Sequence, residues 1–158
     1  MSAQEEAKRL VDTYTPLIMR IGYAYLRSIE DAEDVCQETL LKLVERREPF
    51  ADEEHERAWV ARVAINACKS MLGGAARRRN VGLEAAGEPA AQEALQHPVL
   101  DAVCDLPEAY REAVVLHYGE GYKIREIAQM TGKTKHAVAK NLSRAREMLR
   151  AALGDDYR

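Results

Sequence analysis

A chain of 158 residues, 47% hydrophobic and 31% charged, can form one ordinary domain or two small ones and lies outside the composition of disordered chains. No stretch approaches the roughly 18 apolar residues of a membrane span, and the opening MSAQEEAKRL is too acidic for a secretory signal, so the expected location is the cytoplasm, with no membrane insertion of its own. The net charge of −3 speaks against an evenly basic nucleic-acid binder, but its distribution does not: residues 1–70 carry 10 Lys/Arg against 14 Asp/Glu and residues 99–132 carry 3 against 6, whereas residues 133–150 carry Lys133, Lys135, Lys140, Arg144, Arg146 and Arg150 against the single Glu147.

Residues 3–27 place Ala7, Leu10, Val11, Tyr14, Leu17, Ile18, Ile21 and Tyr25 at steps of three and four, the period of an amphipathic helix, which Pro16 should kink or split. Ser28 followed by Asp31 reads as an N-cap with an acidic first turn, opening a second helix to about Arg47 with a buried stripe of Ala32, Val35, Cys36, Thr39, Leu40 and Leu43. Its opposite face is acidic, with Asp31, Asp34, Gln37, Glu38 and Leu41 on adjacent turns.

Pro49 and PFADEEHE interrupt the pattern before a third helix, about Glu54 to Leu72, whose apolar set is Ala58, Trp59, Val60, Val63, Ala64, Ala67, Cys68 and Met71; Gly73 and Gly74 are expected to end it. From there to Pro98 the composition turns to Ala, Gly, Arg, Glu and Pro, including the basic cluster Arg77, Arg78 and Arg79, as in a flexible linker between two domains. Four shorter helical patterns follow, at about 99–104, 108–119, 123–130 and 134–153. No strand alternation is convincing, and the expected fold class is all-α.

Cys36, Cys68 and Cys104 are odd in number, lack a CxxC spacing and sit among apolar neighbours, as reduced packing residues do. His55, His97, His117 and His136 show no ligand spacing, so no metal or cofactor is expected.

The segment Ile124–Leu149 carries the strongest functional signal. A short helix (IREIAQM), a turn with Gly132 and a longer helix (HAVAKNLSRAREML) place Ile127, Ala128, Val138 and Leu142 where two helices of a helix-turn-helix pack at a steep angle, leaving the second free to enter a major groove. Lys133, Thr134, Lys135, His136 and Lys140 begin that second helix and Arg144 and Arg146 come later in it, groups able to reach bases or phosphates. A plain helical hairpin with a solvated basic face is the bland alternative. The gathering of the chain's positive charge on one helix favours DNA.

The run LPEAYREAVVLHYGEGYKIREIAQMTGKTKHAVAKNLSRAREMLRAAL resembles region 4 of extracytoplasmic-function sigma factors, SIEDAEDVCQETLLKLVERR resembles their region 2.2, and ERAWVARVAINACKSML resembles their regions 2.3 and 2.4. The resemblance implies a region 2 domain over 1–74, a linker over 75–98 and a region 4 domain over 99–158. It implies that Asp34, Gln37 and Glu38 dock on the beta-prime clamp helices of core RNA polymerase, with parts of the second domain on the beta flap. It further implies that Arg62, Asn66 and Lys69 capture the minus-10 element of promoter DNA, that Lys133, Thr134, Lys135, His136, Lys140, Arg144 and Arg146 read the minus-35 element, and that an anti-sigma factor is a partner. Arg62, Asn66 and Lys69 also recur on one helix face, a cationic and amide surface suited to phosphates and an extruded base. Trp59 fits a core anchor more readily than a base-stacking surface.

Two features depart from the family pattern. The loop Asp52–Glu56 is acidic where DNA is expected, which leaves any base pocket to the backbone and His55; and His136 and Ala137 stand where relatives carry small or hydroxyl residues. Because the sequence ends at Arg158, soon after the helix-turn-helix, regulation is expected from a separate molecule rather than an appended domain. The two domains are expected to share too little contact to hold a fixed spacing when free, so that DNA binding without polymerase is weak and salt-sensitive. Against this non-enzymatic reading stand a dimeric helix-turn-helix regulator, for which no self-association stripe is visible, and a small hydrolase using pairs such as Asp31 and Glu38, for which no catalytic motif is present.

Overall fold

Ser2 opens the first helix, α1 (Ala3–Leu26): its hydroxyl accepts the Glu5 amide at 3.1 Å and the Glu5 carboxylate accepts the Ser2 amide at 2.9 Å, a reciprocal capping box. The computed structural model describes residues 2–80 and 98–154, the side chains of 75–80 excepted. Leu10, Tyr14, Leu17, Ile18, Ile21 and Tyr25 form the buried stripe of α1. Pro16 does not split the helix, contrary to one expectation; it lies on the exposed side, where water can satisfy the Asp12 carbonyl that loses its amide partner. Arg27, left-handed at φ 55°, ends α1.

Ser28 caps α2 (Ile29–Glu45) by accepting the Asp31 amide at 3.1 Å, and α2 buries Ala32, Val35, Cys36, Thr39 and Leu43 against α1 and α3. Asp52 opens α3 (Glu53–Asn80), its carboxylate accepting the His55 amide at 2.8 Å. The expected stop at Gly73–Gly74 does not occur. The helix passes through both glycines to Asn80, so six positions assigned to the linker are helical. Neither glycine takes a positive φ, and the Ala and Arg residues beyond them are good helix formers that offset the local cost. Residues 81–97 of the expected linker, and the side chains of Arg77, Arg78 and Arg79, lie outside the described residues.

The second half consists of α4 (Pro98–Cys104), α5 (Glu108–Val114), α6 (Ile124–Thr131) and α7 (Lys135–Leu153). The single helix expected over 108–119 changes pitch: from Val115 to Gly119 it is a π turn, with the Glu120 amide reaching the Val115 carbonyl at 3.0 Å. His117 Nδ1 donates to the Tyr122 carbonyl at 2.8 Å and steers the chain, with Gly121 at φ 78°, toward α6. Among the described residues there is no strand, and the fold is all-α.

The buried residues of both halves form one continuous apolar cluster, from Leu10 of α1 to Ala145 of α7. α1 packs against α4 and the π turn, and α3 touches α6. This corrects the expectation of two domains with little joint contact. Charge crosses the seam as well: Arg20 and Arg57 pair with Glu120 at 2.9 and 3.4 Å, Lys69 with Glu112 and Glu108 at 3.0 and 3.1 Å, and Arg27 with Asp101.

Candidate DNA and polymerase interfaces

The turn between α6 and α7 is built by three local devices. Glu126, at the third position of α6, reaches back to accept the Lys123 amide at 2.8 Å; Gly132 adopts φ 74°, and its amide bonds the Ala128 carbonyl at 3.0 Å; Thr134 then caps α7 by accepting the Ala137 amide at 3.0 Å. Ile127 of α6 is buried with Val138, Leu142 and Ala145 of α7, which fixes the rotation of α7 about its axis. At 3.6 residues per turn, the direction opposite that stripe is occupied by His136, Lys140, Ser143, Arg144 and Glu147, all exposed. The core thus aims the basic face outward.

Not all seven expected minus-35 residues share that availability. Lys135, His136, Lys140 and Arg144 are exposed. Thr134 spends its hydroxyl on the cap, Arg146 donates to the Tyr118 hydroxyl at 2.9 Å, and Lys133 turns away to Glu112 at 3.0 Å. A groove between α6 and the start of α7 is lined by Arg125, Ala128, Gln129, Lys133, Thr134 and Lys135. Arg125 and Gln129 were not singled out from sequence; their i,i+4 spacing on the exposed side of α6 was the available signal.

On α3, Arg62 and Asn66 are exposed and Lys69 is half-buried on the same face. Burial acts to lower the Lys69 pKa, but hydrogen bonds and charges from Glu112 and Glu108 outweigh it, so the ammonium is held above its ordinary value. The acidic stretch expected as a loop is instead the start of α3, with Glu53, Glu54 and Glu56 in its first turn, and two of its four carboxylates are committed to structure. Asp52 caps the helix, and Glu56 is buried, accepting from Arg9 at 3.0 Å and from the Tyr14 hydroxyl at 2.6 Å. The His55 Nδ1 accepts the Ala51 amide at 3.0 Å while its ring meets Phe50 edge-on; Phe50 meets Trp59 in the same way, and the Arg46 guanidinium lies 4.2 Å from the Phe50 ring centre. Trp59 is partly buried against the core, in keeping with an anchor.

On α2, Asp34, Gln37 and Glu38 are exposed together with Leu41 and Val44, a face combining carboxylates with apolar side chains at helical spacing. Glu38 pairs with Lys42 at 3.3 Å, an exposed contact of little energetic weight. The α2, α3 and α7 residue sets remain on separate surfaces, but Lys69 and Lys133 are brought to one carboxylate, that of Glu112. Among the described residues, no His, Cys, Asp and Glu side chains gather into a group that could hold a metal, and no helix is long and apolar enough to cross a membrane.

A helical half with exposed acidic and cationic faces, joined to a helix-turn-helix half, is the architecture of a transcription initiation factor. Residues 10–78 match the Sigma-70 region 2 family and residues 96–149 match Sigma-70, region 4. The chain is 30% identical over 138 residues to the ECF RNA polymerase sigma factor SigM of Mycobacterium tuberculosis, covering 85% of this chain and 70% of the relative. It is 28% identical over 163 residues to the RNA polymerase sigma factor CarQ of Myxococcus xanthus, covering 97% and 92%. With the probable RNA polymerase sigma factor RfaY of Xanthomonas campestris it shares 26% identity, and there it spans 41% of the relative's length. Its fold resembles that of the sigma factor RpoE solved with the anti-sigma factor NepR from Bartonella quintana (TM-score 0.75, 21% identity, 96% of this chain and 99% of that one). It also resembles CnrH solved with the cytosolic domain of CnrY (TM-score 0.68, 23% identity, 97% and 90%). The chain belongs to the extracytoplasmic-function group of RNA polymerase sigma factors, and the dimeric-regulator reading is not favoured.

Proposed function

We propose that this sigma factor acts in the cytoplasm without catalytic chemistry of its own, docking on core polymerase through Asp34, Gln37 and Glu38 and selecting promoters through α3 and α7. The chain divides functionally near the end of α3, into a region 2 unit over 1–74 and a region 4 unit over 99–158 joined by the segment between them. The observation that carries this reading is the orientation of α7: with Val138, Leu142 and Ala145 buried, Lys140 and Arg144 are exposed on the side away from the core, where a major groove can receive them. Lys135 and His136, with Arg125 and Gln129 beside them, are placed to contact base edges and flanking phosphates. Arg62, Asn66 and Lys69 serve the minus-10 strand, and Leu41 and Val44 add apolar contact beside the acidic docking face. An anti-sigma protein supplies the off state.

Run-off transcription with core polymerase on genomic fragments, including the region upstream of the coding sequence, tests the reading. Protein-dependent transcripts with defined starts are expected. Lys140→Ala and Arg144→Ala should each weaken promoter use by roughly tenfold while leaving core binding intact, and Gln37→Ala or Glu38→Ala should weaken core binding. Tight binding of the protein alone to a palindromic duplex, with neither transcription nor core binding, would overturn it.

A further inference from the structure

Tyr118 lies in the π turn and is 56% exposed, while Val115 and Leu116 of the same turn stay in the core. Its ring is braced edge-on by His117, the two centroids 4.7 Å apart, and His117 is itself fixed through Nδ1 to the Tyr122 carbonyl at 2.8 Å. The Tyr118 hydroxyl reaches across to α7 and accepts from the Arg146 guanidinium at 2.9 Å. A ring set by the π turn therefore orders a cation of the helix-turn-helix.

At 3.6 residues per turn, Arg146 stands roughly a third of a turn from Lys140, between the outward line of α7 and its buried stripe, on a flank shared with Lys135 and Arg150. All three flank cations are exposed. A helix seated in a major groove presents its outward line to base edges and its flanks to the sugar-phosphate backbones. We infer that Tyr118 is a positioning residue for promoter binding: its phenol holds Arg146 ready for a backbone phosphate beside the minus-35 bases. The inference rests on the reading of α7 as the minus-35 helix.

The chemistry of the partner separates holding a cation ready from disabling it. Glu112 sets a negative charge against Lys133, whereas a phenol is neutral and leaves the charge of Arg146 whole. The bond occupies one N–H of a guanidinium that carries five, in a fork whose remaining donors match a phosphate. An arginine loose in solvent loses rotamer freedom when it binds; one already held by a neutral contact loses less. Because the contact is to the backbone, the gain is the same for every base sequence, and Tyr118 contributes affinity rather than selectivity.

The test measures, over a salt series, how tightly holoenzyme reconstituted with core polymerase binds the duplex that gives the strongest run-off transcript. Wild type is compared with Tyr118→Phe, Arg146→Ala and the double variant, with Lys140→Ala as a reference. Tyr118→Phe keeps the exposed ring and drops only the hydroxyl, and it should bind about threefold more weakly. Arg146→Ala should bind more weakly still and lower the salt slope by about one. In the Arg146→Ala background, Tyr118→Phe should have no further effect, which a merely structural role would not produce. Wild-type affinity for Tyr118→Phe overturns the inference, and so does an equal loss in both backgrounds, which would mean that Tyr118 acts independently of Arg146. If Lys140→Ala binds as wild type does, the minus-35 reading of α7 falls and the role of Tyr118 falls with it; if Lys140→Ala weakens binding and Tyr118→Phe does not, only the positioning role falls.

Discussion

The Tyr14 hydroxyl donates to the Glu56 carboxylate at 2.6 Å, tying the middle of α1 to the first turn of α3. Glu56 also accepts from Arg9, so a residue of the acidic stretch expected as a loop is a buried, doubly held brace in α3. A hydrogen bond to a charged, buried acceptor contributes about 1.5–3 kcal/mol, and Tyr14→Phe should lower unfolding stability by that amount in urea titration. Glu56→Ala should cost more, because it strips the partner from both Tyr14 and Arg9. A loss under about 0.5 kcal/mol for Tyr14→Phe would show that the contact is incidental.

Gly22 and Gly73 should respond to the same substitution with opposite signs. A Cβ on Gly22 would lie 2.9 Å from the Ala32 Cβ and 3.0 Å from its Cα, so α1 and α2 would have to separate, at a cost of about 1–3 kcal/mol. A Cβ on Gly73 meets nothing within 4 Å, and alanine there should add about 0.5–1 kcal/mol of helix stability. Thermal unfolding of Gly22→Ala and Gly73→Ala checks both, and a stabilising Gly22→Ala would refute the close packing of α1 on α2.

Thr134 should matter as a cap more than as a base reader. Thr134→Ala removes the acceptor for the Ala137 amide and should cost about 1 kcal/mol, whereas Thr134→Ser or Thr134→Asp should preserve stability. If Thr134→Ala leaves the melting temperature unchanged yet abolishes promoter use, the hydroxyl is reading DNA instead.

Alkaline conditions should loosen the fold around two phenols. Burial first, then the Glu108 and Glu112 charges, raise the Tyr25 pKa, with Arg111 and Cys68 the other titratable neighbours; burial and the Glu56 hydrogen bond raise that of Tyr14. Lys69 is raised as well, by its carboxylate partners. For each group the folded pKa exceeds the unfolded one, so its stabilisation is complete below about pH 10 and lost as pH rises toward the folded value. Unfolding free energy should fall above that pH. Ultraviolet titration should show Tyr14 and Tyr25 ionising only as the native circular dichroism disappears; ionisation of all seven tyrosines in a chain that remains native would contradict this.

Helix positions, the Ser28 cap, the Gly132 turn and the basic second helix of the helix-turn-helix were legible in the sequence because each is set by neighbours within about one turn. The exposed faces of α2 and α7 came from the same periodicity. Gly73 and Gly74 misled because a glycine ends a helix only where the chain uses its left-handed freedom, which depends on the residues C-terminal to it and on the packing nearby. The acidic loop misled for a related reason: charge along the chain does not tell which carboxylates point inward, and Glu56 does.

By itself, the sequence determined that this protein is all-helical, that its cations gather on one recognition helix, and that it is a sigma factor of two recognisable regions. Only the tertiary structure decided that the halves share one core and that Glu112 draws Lys69 and Lys133 together, because contacts between residues 43 and 21 positions apart depend on how helices pack rather than on any local period.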